Sequence, residues 1–295
     1  MGSCFTESIG EKLDYYKFQN TKNPFGIIFH PVAIEKLVTR AINEIYFTED
    51  DVFFYNEQWH CFEAHSLLSN SDKESFLKIL NEKLQLLNKS IKSATHIIFT
   101  YGTSWVYRHI ETDTHVANCH KFPQKKFLKE LLSVEEVSAS IENTTILIKA
   151  INSEVSIINT VSPVRHLKDG FVENTRSKAH LISGIHHYLE TQNSKNYAEG
   201  YFPSYEIMMD ELRDYRFYKE DMIHPNRTSI SIIWNAFNTV WINSETKGIQ
   251  KEIAAIQKGL SHKPFNPSSV SNKQFLKLLY DKIEKVKTLF PKMQF

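Results

Sequence analysis

Two short segments near the ends of the 295-residue chain carry residue types that could do chemistry together. One is Asp221-Met222-Ile223-His224-Pro225, in which a carboxylate precedes an imidazole by three residues. The carboxylate can accept the ring N–H, fix the tautomer and support the imidazolium that forms when the ring takes up a proton. Pro225 is typical of a turn or of the first position of a helix, so we expect His224 on a loop just before a helix. The alternative interpretation is a helix cap followed by a surface histidine.

A base of this kind needs a nucleophile, and the candidates lie in Gly2-Ser3-Cys4-Phe5-Thr6 at the other end of the chain. Apolar residues recur at helical spacing from Phe5 to Tyr16, which puts Ser3 and Cys4 at the N-terminus of a predicted helix. Backbone N–H groups and the helix dipole favour an anion there, including a thiolate or an oxyanion. The alternative is that Ser3 only caps the helix and that Cys4 is a small buried residue.

The composition is that of an ordinary globular protein, with 41% hydrophobic and 23% charged residues and a net charge of +1. Nothing in this charge balance points to a nucleic-acid partner. We find no run long enough for a membrane span and no signal peptide. The odd cysteine count (Cys4, Cys61 and Cys119) fits a reducing cytoplasm better than a disulfide framework. No metal-binding motif is present, so no metal and no organic cofactor is implied.

The elements that must position these residues read as strands alternating with helices, which predicts a parallel sheet with helices on both faces. Buried strands are predicted over 95–100 and 155–160, and a third is predicted to end at 201–203. Capping-box patterns at Ser71 and Ser133 predict the starts of two helices. A hairpin is predicted within 53–65.

Turns that contain glycine or polar residues follow these strands. Residues 101–105 follow the first strand, where Gly102 could expose N–H groups and Ser104 could supply a side-chain donor. Another turn is predicted at 23–26, where Gly26 lets the backbone approach a ligand or simply permits a positive φ. The crevice outside the strand ends is therefore the expected site.

A polar cluster, Asn118-Cys119-His120, is predicted to lie in a loop. Cys119 and His120 form a conceivable reactive pair, although the side chains of sequence neighbours diverge.

The end of the chain differs in character from the rest. Residues 247–260 and 274–290 are amphipathic and predicted to be helical, and 261–272 carry prolines and serines typical of a linker. We therefore predict a main domain over 1–245 and a helical extension over 246–295, with the linker near 261–272.

The first segment differs by one residue from the G-S-C-F-A signature of the GSCFA family, and the chain resembles that family from Gly2 to Trp241. Further blocks that resemble it follow in order: Asn23-Pro24-Phe25-Gly26, Tyr101-Gly102-Thr103, Asn118-Cys119-His120, Ser162-Pro163, Ser177-Lys178, Tyr201-Phe202-Pro203-Ser204-Tyr205-Glu206 and Asp221-Met222-Ile223-His224-Pro225.

This family is related to the SGNH, or GDSL-like, hydrolases. The resemblance implies a three-layer α/β/α sandwich with a mainly parallel, flavodoxin-like sheet. It also implies a strand leading into the first block, and we expect that strand to be missing here. Asp221 and His224 match the acid and base. Laying G-S-C-F over G-D-S-L puts Cys4 on the nucleophilic serine, with Ser3 as the alternative one residue earlier.

The resemblance also implies oxyanion donors from the second and third blocks. Gly26 matches the second-block glycine, and Gly102 lies in the third block. That block usually ends in an asparagine donor, but Ser104 stands there, and Asn118 is the candidate replacement. The expected oxyanion and substrate-binding residues are Gly26, Gly102, Thr103, Ser104, Asn118 and His120.

We therefore expect a cytoplasmic SGNH-type hydrolase that cleaves ester bonds in a small-molecule or glycan substrate. Cys4 or Ser3 would attack the carbonyl, His224 would move the proton and Asp221 would orient His224. An acyltransferase using the same site is one alternative, and a non-catalytic module that binds a carbohydrate or acyl ligand is another. The sequence indicates no nucleic-acid partner and no membrane span, and it leaves the oligomeric state open.

Overall fold

The computed structural model describes residues 1–191 and 199–295 and has a mixed α/β fold. The α-helices are α1 (Cys4–Tyr15), α2 (Pro31–Ile42), α3 (Lys73–Ser93), α4 (Val134–Ile151), α5 (Phe171–Thr191), α6 (Ser204–Glu206), α7 (Arg227–Trp241), α8 (Lys247–Leu260) and α9 (Val270–Leu289). The strands are β1 (Phe53–Tyr55), β2 (Gln58–His60), β3 (His96–Tyr101), β4 (Trp105–His109), β5 (Thr114–Val116), β6 (Phe127–Leu131), β7 (Ser156–Val161) and β8 (Glu199–Phe202). A π-helical stretch, Ile207–Glu211, follows α6. Short 3₁₀ helices cover Glu49–Asp51, Ser66–Leu68, Gln124–Lys126, Leu167–Asp169, Tyr215–Phe217 and Ser244–Thr246.

The chain forms two compact units. The first contains Met1–Glu7 and Thr21–Ile233, and the second contains Ser8–Asn20 and Trp234–Phe295. The division therefore falls within α1 and α7, whereas the sequence suggested a boundary at 245.

The first unit holds a parallel sheet in the order β3-β7-β8. Its strands confirm the three strand predictions to within one or two residues, because each is a short apolar or β-branched run that ends at a turn. Thr100 of β3 pairs with Thr160 of β7, which pairs with Phe202 of β8, so the carboxyl ends of all three strands meet at one edge.

The other sheets in the described residues are antiparallel: the β1–β2 hairpin and a sheet in the order β5-β4-β6. The hairpin was predicted. The β5-β4-β6 sheet was not, so the expectation of a mainly parallel fold holds only for β3-β7-β8. Its strands are three to five residues long and mix apolar with charged residues, and Arg108 of β4 bonds Glu130 of β6 at 2.8 Å. Charged cross-strand pairs of this kind leave little hydrophobic periodicity in the sequence.

The start of the chain lies directly beside β3. Thr100 N–H donates to the Met1 carbonyl at 3.0 Å, and Ser3 N–H donates to the Thr100 carbonyl at 2.9 Å. Gly2, which has a φ of 141°, forms a parallel bridge with Thr100. A Cβ at this position would overlap the Thr100 carbonyl oxygen, so only glycine permits the approach that brings Cys4 to the carboxyl half of β3.

Helix caps decide where two of the larger helices begin. Ser133 and Glu136 form the predicted capping box at the start of α4. The predicted box at Ser71 is wrong: Asp72 caps α3, and its carboxylate accepts the Ser75 N–H at 2.8 Å. Asp72 stands one residue nearer to the helix, so its oxygen reaches the third helical N–H.

The second unit has a small core of its own, in which Leu279, Ile283 and Val286 of α9 surround Ile256 of α8. Tyr16 and Trp234 stack with ring centroids 5.5 Å apart. None of the helices in the described ranges combines the length and apolar composition that a membrane crossing requires.

The contact between α4 and α5 gives a stability prediction for Gly184→Ala. A Cβ on Gly184 would come within 2.5 Å of Val137 Cγ1 and 3.0 Å of the Val134 carbonyl oxygen. The new methyl group must displace α4, so we expect a loss of about 1–3 kcal/mol in unfolding free energy, measured by urea denaturation.

Gly248→Ala is the matched control, because a Cβ on this helical glycine meets nothing within 4 Å. Alanine lowers the conformational entropy of the unfolded chain relative to glycine, so the unfolding free energy should stay unchanged or rise by about 0.5–1 kcal/mol. Equal effects of the two substitutions would show that the α4–α5 contact is looser than described.

Candidate active site

The aspartate and histidine of the last block lie on a loop that precedes α7, as predicted. His224 Nδ1 is 2.7 Å from Asp221 Oδ2. Asp221 Oδ1 accepts the backbone N–H groups of Ile223 and His224, both at 2.9 Å. These bonds, the His224 N–H first, lower the pKa of Asp221 to about 2, so the carboxylate stays ionised at neutral pH. The side chains of His224 and Asp221 are 40% and 44% exposed.

Two further residues hold this loop in place. The Arg165 guanidinium donates to the Met222 carbonyl at 3.1 Å, and its backbone N–H donates to the Ile223 carbonyl at 3.3 Å. Asn226 caps α7 by accepting N–H groups of its first turn. The helix therefore starts at Arg227, not at the proline, and the loop is joined to the turn that follows β7.

The two nucleophile candidates differ in their environments. Ser3 is fully buried, and its Oγ accepts the Phe5 N–H at 3.3 Å, as a helix cap does. Cys4 begins α1 and is partly exposed. Of the two, only the Cys4 side chain reaches the surface.

Cys4 is held mainly as a thiol at neutral pH. Burial raises the pKa of Cys4 above its ordinary value, although the charge of Lys178, the N–H groups of Cys4 and Phe5, and the charge of Lys219 act in the opposite direction. A base is therefore needed to generate the thiolate.

The expected oxyanion glycines have their N–H groups already bonded. Gly26 donates to the Asn23 carbonyl at 2.8 Å and has a φ of 77°. Gly102 donates to the Phe29 carbonyl at 2.7 Å. Gly26 therefore serves the turn itself, which is the second of its two predicted roles, and neither amide is free to face an oxyanion.

Thr103 and Ser104 are part of a hydrogen-bond network centred on Ser177 of α5. Thr103 Oγ1 is 2.9 Å from Ser177 Oγ, which also accepts the Ser104 N–H at 2.8 Å. Ser104 Oγ donates to the Ser177 carbonyl at 3.0 Å and is fully buried. The expectation that Ser104 supplies an oxyanion donor is therefore not supported, because its hydroxyl ties β4 to α5.

The residue beside Ser177 occupies the centre of this region. Lys178 is 1% exposed, and its Nζ donates to the carbonyls of Gly102 and Ser162, both at 2.7 Å. These carbonyls follow the carboxyl ends of β3 and β7. Burial lowers the pKa of Lys178 to about 7, while the nearby Cys4 thiolate acts to raise it.

His166 lies beside the same turn. Its Nε2 would be 3.1 Å from a Cβ on Gly102, and its ring packs edge-on against Phe29 with centroids 5.3 Å apart. Burial, the charge of Lys178 and the charge of His224 lower the pKa of His166 to about 3. Nε2 is buried and has no hydrogen-bond partner among the described residues.

Asn118 and His120 belong to a different part of the first unit. Asn118 Nδ2 donates to Ser66 Oγ at 3.1 Å, and its Oδ1 accepts the His120 N–H at 2.8 Å. His120 Nε2 is 2.7 Å from the Cys61 carbonyl, and burial lowers the pKa of His120 to about 4. No hydrogen bond within the described ranges joins either residue to Cys4 or His224, so the structure gives no support to Asn118 as the replacement donor.

Cys119 does not form a reactive pair with its neighbour. The ring of His120 is turned to the Cys61 carbonyl, and burial raises the pKa of Cys119 to about 11.

Sequence comparison adds to this geometry. The model of the GSCFA family matches residues 1–237, and the model of the GSCFA domain protein, C-terminal domain, matches residues 253–295. The chain belongs to the GSCFA family. Comparisons with curated proteins and with solved structures gave no match.

Sequence reasoning gave no site role to Lys178, although Ser177-Lys178 is one of the blocks that resemble the GSCFA family, and it did not single out His166. Lys178 shares a buried stripe of α5 with Leu181, Ile185 and Tyr188. A lysine at an apolar position of a helical repeat is the signal that could have identified it. His166 carries no comparable signal, because it follows β7 in an irregular segment.

The charge of Lys178 beside Cys4 gives a prediction for thiol reactivity in the GSCFA protein. Alkylation of Cys4 by iodoacetamide should reach half of its maximal rate at a higher pH than that of N-acetylcysteine. At pH 7, where Lys178 is partly charged, Lys178→Met should lower the alkylation rate of Cys4, because the ammonium favours the thiolate. The difference should shrink at higher pH, as the amine loses its charge. Mass spectrometry of the N-terminal tryptic peptide measures the Cys4 reaction alone.

Lys219→Met is the matched control, because Lys219 is exposed and its charge has the smaller effect on Cys4. A Lys178→Met variant that folds, as judged by thermal unfolding, and alkylates at the wild-type rate would contradict the electrostatic coupling.

Proposed function

We propose that this GSCFA protein hydrolyses ester bonds, with Cys4 as the nucleophile and His224 as the general base. The observation that carries the proposal is the 2.7 Å hydrogen bond between Asp221 and His224. It assigns the Nδ1 proton to the side facing Asp221 and leaves Nε2 to accept another proton. Two backbone bonds hold the carboxylate, so the base is oriented before a substrate binds.

The chemistry proceeds by acyl transfer to sulfur. His224 Nε2 takes the thiol proton as the Cys4 sulfur attacks the ester carbonyl. The tetrahedral intermediate then collapses, and the leaving alcohol receives the proton from His224. Water, activated by the same imidazole, releases the acid and restores the thiol.

Several observations support Cys4 over Ser3. The Ser3 hydroxyl is fully buried and engaged in capping α1, whereas Cys4 is partly exposed. Lys178, with its pKa near 7, exerts its charge on both Cys4 and His166. His224 also acts on His166, which supports one electrostatic neighbourhood for nucleophile and base.

We further propose kinship with the SGNH hydrolases. The parallel β3-β7-β8 sheet supports it, because Gly102, Ser162 and Pro203 all lie just beyond the carboxyl ends of its strands. In open α/β sheets ligands bind at such an edge. The substrate would be an acyl ester of a small molecule or glycan, and the free thiols of Cys4, Cys61 and Cys119 fit work in the reducing cytoplasm.

One observation favours a second candidate function. The N–H groups of Gly26 and Gly102 are already bonded to backbone carbonyls, so two expected oxyanion donors are occupied. A non-catalytic module that binds a carbohydrate or acyl ligand would not need them.

Substitution of the proposed catalytic residues provides the test. With p-nitrophenyl acetate as substrate, Cys4→Ala and His224→Ala should each lower kcat by about 100-fold or more, because they remove the nucleophile and the base. Asp221→Asn should lower kcat while the protein stays folded, because the amide no longer favours the required tautomer. Addition of glycerol or a sugar as acceptor, with product analysis, separates an acyltransferase from a hydrolase.

The matched control is His96→Ala, an exposed histidine at the opposite end of β3. It should retain wild-type activity. Release of p-nitrophenol at the blank rate by folded wild-type protein, across acetyl, butyryl and longer acyl esters, would favour the binding module.

A further inference from the structure

One ring nitrogen of His166 is isolated. His166 Nε2 is buried, and none of the described residues hydrogen-bonds to it. The residue itself is anchored, because its backbone N–H donates to Asn174 Oδ1 at 2.8 Å and its ring packs against Phe29. A buried polar atom without a partner calls for an explanation, and one explanation is a ligand atom.

This nitrogen lies beside Gly102. Nε2 lies over the Cα of Gly102, where a Cβ would be 3.1 Å away. The carbonyl of the same glycine is held by Lys178, whose charge acts on Cys4 and on the His166 ring. The charge of His224 also lowers the pKa of the ring. The unpaired nitrogen therefore belongs to the neighbourhood of both the nucleophile and the base.

The His166 ring carries no charge at neutral pH. Burial, followed by the charges of Lys178 and His224, lowers the pKa of His166 to about 3, so the ring is neutral at physiological pH. A neutral imidazole that does not titrate there is a poor acid or base but a good fixed hydrogen-bond donor. The donors expected at Gly26, Gly102 and Ser104 are engaged elsewhere, which leaves the N–H groups at the start of α1 and His166 Nε2 as candidates.

We propose that the Nε2–H of His166 binds the acyl carbonyl oxygen of the substrate and stabilises the oxyanion formed when Cys4 attacks. This inference rests on the proposed ester hydrolysis. As the S–C bond forms, the carbonyl π electrons move to the oxygen and the thiol proton moves to His224. The oxyanion accepts the hydrogen bond from His166, and when the C=O bond re-forms the alcohol leaves with the proton from His224. The donor tautomer carries its hydrogen on Nε2.

The test compares two reactions at the same sulfur. Acylation by p-nitrophenyl acetate develops an oxyanion, whereas alkylation by iodoacetamide displaces iodide and develops none at a carbonyl. His166→Leu should lower the rate of acylation about 100-fold and leave the rate of Cys4 alkylation within about twofold of wild type. Because the donor acts on the transition state, the loss should appear in kcat more than in KM.

A second variant guards against misfolding. His166→Gln keeps an amide N–H donor of similar reach and should retain at least about one tenth of the wild-type acylation rate, given the size of a single donor's contribution. His187→Leu makes the same change at an exposed histidine of α5 and should match wild type in both reactions. Thermal unfolding compares the folded state of all the variants.

Each result has a separate meaning. Equal acylation by wild type and folded His166→Leu overturns this inference alone. A parallel fall in acylation and alkylation also overturns it, because His166 would then act on the sulfur. If wild-type protein alkylates at Cys4 but is never acylated, the proposed function fails and takes this inference with it.

Discussion

The buried ammonium of Lys178 is the interaction on which the site depends. A fully buried charge is unstable unless hydrogen bonds replace its water, and here the carbonyls of Gly102 and Ser162 do so at 2.7 Å. Those carbonyls follow neighbouring strands of the parallel sheet. One side chain therefore fixes the separation of two turns, and the Ser177 network beside it fixes where α5 delivers that side chain.

The charge of Lys178 also affects the pKa values of Cys4 and His166. Its pKa near 7 means that the amine and ammonium forms are close in free energy at neutral pH. The ammonium favours the Cys4 thiolate, and it adds to burial in lowering the pKa of His166. Burial opposes the first effect and outweighs it, so the pKa of Cys4 lies above its ordinary value and the proposed nucleophile rests as a thiol.

Features set by local sequence were predictable, and features set by long-range contacts were not. The strands β3 and β7 are compact apolar runs, and the Ser133 box caps α4 as its spacing indicates. The pairing of Asp221 with His224 is also local, because they stand only three positions apart in the chain. By contrast, the β5-β4-β6 sheet is stabilised by ion pairs between residues 22 apart, such as Arg108 and Glu130, which leave no periodic pattern.

The same difference between local and long-range contacts applies to the residues of the candidate site. Residue type alone suggested that Gly26, Gly102 and Ser104 would offer donors, but each donor is bonded to a group distant in sequence or to the turn itself. An N–H can face a ligand only when the fold leaves it unpaired, and sequence spacing does not report which groups the fold pairs. The burial of Lys178 and the surroundings of His166 became visible only in the structure.

The candidate site thus places the proposed proton-transfer pair apart from the groups that favour negative charge. The Asp221–His224 pair sits on an exposed loop, where the proposed base would be open to substrate and to water. The groups that favour negative charge, Lys178 and the first N–H groups of α1, are buried or tied to the sheet. Fixed dipoles in a region of low dielectric stabilise developing charge without reorganising, whereas a proton carrier has to reach solvent. This division gives a physical reason why the Asp221–His224 loop is anchored by Arg165 rather than buried.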